Sequence, residues 1–328
     1  MIAASHISKK YGRTVVVADM TFDVAEGEVL GFLGPNGAGK TTTMRMITGY
    51  LPPSSGRVSI GGYDMFDHPI EAKRQIGYLP ENPPVYPEMT VRRYLRYVAE
   101  LKDVPSSRVR SAVDRAIERT QLQEVAGRRI AKLSKGFKQR VGLAQAIVHE
   151  PKVLILDEPT SSLDPKQRAE VRDLIAELKG RHTVILSTHI LPEVSEVADR
   201  VFILNRGKVV AVDSPSRLGD RLRAREVVTA EFGAAAGDGV GQTPGVEQIR
   251  AALADLAGVS DVQVEPVEPG TYRARLEGDV GSDLRAATAE RVVSQGWRLY
   301  GLAGESLSLE EIFLALTRDE PSAGEGVS

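Results

Sequence analysis

The run Gly34-Pro35-Asn36-Gly37-Ala38-Gly39-Lys40-Thr41-Thr42 constrains this chain more than any other feature. It matches G-x-x-x-x-G-K-[ST], follows the apolar run Val29 to Leu33, and precedes a helix-patterned stretch from Thr41 to Thr48. Strand, glycine-rich loop and helix start, in that order, make a phosphate cradle. The glycines let backbone N–H groups turn inward, and the helix N-terminus adds the positive end of its dipole. Lys40 is predicted to reach the β- and γ-phosphates of a nucleoside triphosphate, and Thr41 to ligate Mg²⁺. Asn36, Gly37, Ala38, Gly39 and Thr42 complete the expected cradle.

The pattern around this loop predicts an α/β fold. Val153 to Leu156, Thr183 to Leu186 and Val201 to Leu204 read as further buried strands. Lys166 to Leu178 reads as a helix with Asp164 as its cap and Pro165 in its first turn, placing Val171, Leu174, Ile175 and Leu178 on one face. Alternating elements imply a largely parallel sheet. Between Glu88 and Glu150 the strand signal disappears, and Thr90 to Leu101 and Arg108 to Gln121 look helical, which predicts a helical insert over about 88–150. The strand Val153 to Leu156 carries its acidic residues, Asp157 and Glu158, only at its tip. That placement aims two carboxylates into a site. Asp157 suits a Mg²⁺ partner, and Glu158 is placed to take a proton from an attacking water or to orient it.

With 328 residues, two domains are expected. No stretch of about 18 apolar residues is present to span a bilayer, and no secretory signal is read at the N-terminus. Cysteine is absent, which removes thiolate chemistry and fits a cytoplasmic protein. A net charge of −2 hides an asymmetry: Glu226 to Ser328 holds 7 Arg, no Lys and 18 acidic residues, a balance of −11, against +9 for the remainder. The composition shift predicts a boundary near Arg225 and makes nucleic acid an unexpected partner. Beyond it, Val227 to Phe232, Val259 to Val264, Thr271 to Leu276 and Arg298 to Leu302 read as strands, and Val246 to Leu256 and Ser282 to Gln295 as helices. The order βαββαβ predicts a small ferredoxin-like α+β domain over 226–318, with a last helix at Leu309 to Leu316 and a loose tail from Asp319 to Ser328. It holds no ligand-like cluster, so a regulatory or architectural role is expected.

Together these residues resemble the ATP-binding subunits of ABC transporters over the first 220 or so positions. Tyr11 matches the aromatic that stacks on adenine, and Gly34 to Thr42 the phosphate loop. Leu133-Ser134-Lys135-Gly136-Phe137 occupies the place of the signature motif, and Asp157 and Glu158 match the metal and catalytic carboxylates. Ser162-Leu163-Asp164 matches the dimer-contact loop, and His189 the switch histidine. Each alone has an ordinary structural reading: a packing aromatic, a helix cap, a strand-end histidine. The ordered set is what marks the family. Two departures stand out. Glu81 replaces the usual Gln, keeping an oxygen for Mg²⁺ or water but adding charge. Lys135 and Phe137 alter the signature around the retained Ser134 and Gly136.

The resemblance implies an ABC cassette over 1–225 that binds ATP and Mg²⁺, with Glu158, His189 and Glu81 at the reaction and Thr41, Asp157 and Glu81 at the metal. It also implies pairing with a second such subunit as a homodimer, whose Ser134, Gly136 and Asp164 meet the facing nucleotide. An integral membrane permease is the other implied partner, with the chain peripheral on the inner face of the membrane. The departures, the run Pro83 to Val91 and the ending Ser308 to Phe313 look like a bacterial exporter subgroup for drugs, lipids, polysaccharides or gliding motility. Export through a separate permease is expected, and the alternative is assembly or motility of a surface apparatus without small-molecule cargo. A translation ATPase would carry two cassettes in one chain. A DNA-repair ATPase would carry a long heptad insert or zinc cysteines.

Overall fold

The computed structural model describes residues 1–161, 163–221, 226–233, 244–279, 282 and 284–305. The chain divides into two compact units, Met1–Pro215 and Ser216–Ile312. In chain order the first holds β1 (Ile2–Tyr11), β2 (Thr14–Val24), β3 (Val29–Leu33), α1 (Lys40–Ile47), β4 (Ser55–Ile60), β5 (Tyr63–Asp64), α2 (Pro69–Arg74) and β6 (Ile76–Leu79). Three helices follow, α3 (Val91–Leu101), α4 (Ser106–Arg119) and α5 (Lys135–Ile147). The unit then continues through β7 (Val153–Asp157), α6 (Pro165–Leu178), β8 (Thr183–Thr188), α7 (Leu191–Val197), β9 (Arg200–Asn205) and β10 (Lys208–Asp213).

A six-stranded sheet of order β10-β9-β3-β8-β7-β6 forms the centre, parallel except for the β10–β9 pair. Every residue of β3, β7 and β8 is buried, which is why these strands read as unbroken apolar runs rather than alternating ones. In such a sheet, ligands bind beyond the carboxyl ends of the strands. The glycine loop leaves β3, the acidic pair ends β7, and His189 follows β8, so three neighbouring strands deliver the motif residues to one edge.

A second, antiparallel sheet of order β2-β1-β4-β5 is a finding that the sequence pattern does not announce. The β1 pairing with β2 shifts register three times, at Ala4/Ile7, Ile7/Lys9 and Lys9/Lys10, and His6 has φ +52°. Such bulges interrupt the two-residue alternation by which a half-buried strand is recognised. Phe22 of β2 meets Phe32 and Phe202 of the central sheet edge-on, at 5.3 and 5.5 Å between ring centres, and ties the two sheets into one core.

Helices α3, α4 and α5 occupy the stretch between β6 and β7. Thr90 caps α3, and Val91, Tyr94, Leu95 and Val98 are buried along it. α4 starts at Ser106, a little before the expected Arg108, with Val109, Val113 and Ile117 inward. Asp164 caps α6 by accepting from the Gln167 N–H at 2.9 Å, and its predicted face, Val171, Leu174, Ile175 and Leu178, is buried.

α8 (Pro215–Arg221) precedes the strands of the second unit, β11 (Glu226–Gly233), β12 (Val259–Glu268), β13 (Thr271–Gly278) and β14 (Arg298–Glu305). With α9 (Val246–Ala254) and α10 (Leu284–Ser294) they give β-α-β-β-α-β, and the antiparallel sheet order β12-β13-β11-β14 is that of a ferredoxin-like sandwich. Its core gathers Phe232, Ile249, Leu253, Leu276 and Val292, with Trp297 stacked on Phe232 at 5.1 Å. Arg225, the helix expected at Leu309 to Leu316, the ending Ser308 to Phe313 and the tail after Asp319 lie outside the described residues.

Half-buried polar groups join the insert to β6. The Lys102 ammonium donates to the Ile76 carbonyl at 3.3 Å, and His149 Nε2 donates to the same carbonyl at 3.1 Å, leaving Nδ1 buried without a partner. Burial, helped by the nearby Lys102 charge, pushes His149 down from 6.5 to about 4. The unfolded chain therefore takes up this proton first as pH falls, and stability is lost between about pH 6.5 and 4, on the order of 3 kcal/mol for this group. His149→Gln keeps a donor for Ile76 but cannot be protonated. Thermal melts across that range are expected to show a shallower acid decline for the variant than for the parent, and parallel curves would exclude His149 as a source.

Candidate functional site

The glycine loop and the ends of β7 and β8 line a cavity of about 410 Å³. Asn36, Gly37, Gly39, Lys40, Thr41 and Thr42 come from the loop and α1, Glu81 from the segment after β6, and Glu158 and His189 from the carboxyl ends of β7 and β8. Val16 and Ser161 complete the lining. Gly39 has φ +99°, and a Cβ there would stand 2.8 Å from the Val16 carbonyl oxygen. Both the backbone conformation and the close approach exclude a side chain, so the loop lies tight against β2.

Lys40 is buried at the first position of α1. Its ammonium donates to the Gly34 carbonyl at 2.7 Å and the Pro35 carbonyl at 3.3 Å, and lies 3.4 Å from Glu158 Oε1. The cation is thus folded back onto its own loop and onto the carboxylate. Glu158 Oε2 faces His189 Nδ1 at 2.8 Å, an arrangement that requires the proton on Nδ1. Glu158 also has φ +50°, a left-handed conformation that a residue with a side chain adopts at a cost of order 1 kcal/mol or more. Its N–H is held by the Ser187 carbonyl at 2.9 Å, so β8 fixes the backbone that aims this carboxylate.

Asp157 is fully buried. Oδ1 accepts hydrogen bonds from Ser187 Oγ and, at 3.3 Å, from Thr41 Oγ1, while Oδ2 is buried with no partner. Burial raises its pKa, the two hydroxyls oppose that, and the carboxylates of Glu158 and Glu81 add to it. An orphaned carboxylate oxygen beside a hydroxyl, under the field of two more carboxylates, fits a hard divalent cation, which would satisfy Oδ2 and reverse the repulsion.

Other residues singled out from sequence do not line this cavity. Tyr11 ends β1 and is 52% exposed, with the Lys9 ammonium 5.5 Å from its ring centre. Ala38 is buried in the loop, its carbonyl accepting from the Gly207 N–H at 3.1 Å. Ser134 caps α5, accepting from the Phe137 N–H at 3.4 Å. Gly136 packs against α6, where a Cβ would stand 2.6 Å from Gln167 Oε1. Asp164 caps α6, and Ser162 lies outside the described residues.

One residue emerges only in three dimensions. The Glu193 carboxylate, in the first turn of α7, is buried, and its Oε2 accepts from Thr160 Oγ1 at 2.6 Å and from Thr188 Oγ1 at 3.1 Å. Thr160 follows Glu158 in the loop after β7, and Thr188 directly precedes His189. Glu193 therefore bridges the segments that carry the two partners of the 2.8 Å contact. The only sequence signal was an acid in a short helix close behind the histidine, which a solvated first turn would equally produce.

The ABC transporter family model matches residues 17–161. The linearmycin resistance ATP-binding protein of Bacillus subtilis is 32% identical over 97% of this chain and 98% of its own length. A daunorubicin resistance ATP-binding protein of Streptomyces coeruleorubidus is 32% identical over 97% and 96%. Among solved structures, an ATP-binding subunit of an ABC transporter superposes with a TM-score of 0.62 at 32% identity, over 67% of this chain and 92% of that one.

Glu193→Ala leaves the Thr160 and Thr188 hydroxyls without their buried acceptor, a loss of about 1–3 kcal/mol of stability. Its ATP turnover is expected to fall while nucleotide affinity is kept, and Glu193→Gln, which retains an acceptor oxygen, is expected to restore most of the rate. Equal turnover in all three proteins, measured beside nucleotide titrations, would remove Glu193 from the site.

Proposed function

The chain belongs to the ABC transporter family as an ATP-binding, ATP-hydrolysing subunit, and we propose that it energises export across a membrane through a separate membrane-spanning permease. The observation that carries this reading is the near full-length similarity to the linearmycin resistance protein, joined to a site in which Lys40 and Glu158 already face each other. No helix among the described residues is long and apolar enough to cross a membrane, so the permease is a second polypeptide in this reading. The chain then works from the inner face of the membrane.

In the proposed mechanism Lys40 exchanges its present partners for the β- and γ-phosphates, which releases Glu158 Oε1 from the ammonium. Glu158 then accepts a proton from the attacking water, and its remaining oxygen is steadied by the His189 Nδ1–H. Thr41, Asp157 and Glu81 would hold Mg²⁺, which supplies charge neutralisation at the phosphate oxygens when bound. Tyr11 stacks on the adenine in this reading.

Ser134, Gly136 and Asp164 lie away from the cavity of their own chain, and this supports the proposal that they serve the nucleotide of a second copy, closing a homodimer around two ATP molecules. The ferredoxin-like unit, with no catalytic cluster assigned to it, is proposed to be regulatory or architectural.

Native protein purified in mild detergent is expected to bring down a helical-bundle permease, identifiable by mass spectrometry. A pilus or motility component in its place would support the surface-apparatus reading instead.

Lys40→Ala is expected to weaken ATP binding and abolish phosphate release, and unchanged turnover would contradict the site. Glu158→Gln is expected to bind ATP normally, lose most turnover, and accumulate as an ATP-bound dimer on size exclusion. Near-normal turnover would transfer the proton-accepting role to another group.

A further inference from the structure

Helices α5 and α6 touch at their first turns and again one turn further on. At the first level Gly136 lies against the Gln167 side chain, so close that a Cβ would stand 2.6 Å from Gln167 Oε1. The Gln167 N–H in turn donates to Asp164 Oδ1 at 2.9 Å. At the second level Arg140 Nη2 is ion-paired with the Glu170 carboxylate. Arg140 follows Gly136 by one helical turn, as Glu170 follows Gln167, so both levels use the same two helix faces. The guanidinium is held further by Gln121 Oε1, which accepts from Nη1 at 3.0 Å, and it lies 6.0 Å from the centre of the Phe137 ring.

Burial sets this pair apart from others on the insert. The Arg140 side chain is 14% exposed, whereas Arg92–Asp114, Arg115–Glu150 and Arg74–Asp103 leave every partner at least 44% exposed. Exposed pairs of that kind constrain little. A shielded guanidinium with several partners fixes direction, because its planar fork loses hydrogen bonds if either helix turns or slides. The cavity around Lys40 takes none of its lining from α5 or α6. What the two helices share is the load at their starts: Ser134 and Gly136 on α5, and Asp164 on α6. We propose that Arg140 and Glu170 are positioning residues that lock these two helix starts into one rigid face, so that the groups offered to a second copy's nucleotide arrive as a unit. The inference rests on the homodimer reading above and deepens it, assigning the alignment of that face to a contact inside each subunit. A pair that never touches the nucleotide thereby governs hydrolysis in the facing subunit, since about 1 Å of misplacement can cost on the order of 100-fold in rate.

The test separates what each subunit contributes. ADP lacks the γ-phosphate that a facing subunit would meet, so ADP titration of the full chain reports its own cavity and that it is folded. Turnover at saturating ATP, and the ATP-dependent dimer of Glu158→Gln on size exclusion, report the facing one. Arg140→Gln and Glu170→Gln are each expected to keep ADP affinity within about twofold of the parent and to lower turnover about tenfold. Added to Glu158→Gln, each is expected to weaken the dimer. The double variant Arg140→Gln, Glu170→Gln is expected to turn over no more slowly than the slower single variant, because one contact can be broken only once. Parent-level turnover in both single variants would overturn the inference. A joint loss of ADP affinity and turnover would also overturn it, making the pair a general prop of the fold. Losses that multiply in the double variant would overturn it too, because the two residues would then act apart. If Glu158→Gln forms no dimer with ATP, the homodimer reading falls and takes this inference with it. If that dimer forms and Arg140→Gln leaves it intact, this inference alone falls.

Discussion

The register of three buried parallel strands sets the distances in the proposed nucleotide site. Leu33 of β3 stands opposite Thr188 of β8, and Asp157 of β7 stands opposite Ser187. From that alignment the Ser187 hydroxyl meets Asp157, the Ser187 carbonyl holds the Glu158 N–H, and His189 arrives beside the Glu158 carboxylate. A slip of one residue would turn every side chain of β8 to the opposite face. The apolar packing around Phe22, Phe32 and Phe202 makes such a slip costly. Hydrophobic burial away from the cavity thereby fixes the polar geometry that lines it.

The site also concentrates charge where water is scarce. Lys40, Asp157, Glu158 and Glu193 are all buried. Removing such groups from water costs several kcal/mol each unless partners replace the lost hydration. Replacement is nearly complete for Lys40, which has two carbonyls and a carboxylate, and for Glu158, which has Lys40 and His189. It is incomplete for Asp157 and Glu193, each of which keeps one oxygen without a partner. The difference separates two kinds of group: those already satisfied by internal contacts that a phosphate can displace, and those still open to something that arrives from outside or moves.

The sequence carried much of this because the decisive residues are tied to short-range pattern. A glycine loop between strand and helix, and acids at the tip of an apolar strand, are local facts, and the βαββαβ order of the second unit follows from periodicities of two and 3.6. The antiparallel sheet of β1, β2, β4 and β5 was not legible, since β1 changes register three times and its burial does not alternate. Glu193 was not legible either, because its meaning lies in Thr160 and Thr188, brought together only by the pairing of β7 with β8. Resemblance supplied Ser134 and Gly136, but their placement at a helix start, away from the cavity, is a fact of three dimensions.

The edge strand β6 shows how the insert serves the sheet. On one side it pairs with β7. On the other its carbonyls would lie open, and the insert closes them: Ile76 receives Lys102 and His149, and Tyr78 receives the Gln145 amide at 2.6 Å. Between them Gly77 lets the α5 backbone come so close that a Cβ would stand 2.0 Å from the Ala146 carbonyl oxygen. An open parallel edge is a template for pairing with another chain. The insert is therefore also a cap against aggregation, and a chain that loosened it would briefly uncover a strand that could recruit its neighbours. Holding the cap through side chains rather than through a seventh strand allows motion at that edge without unzipping the sheet.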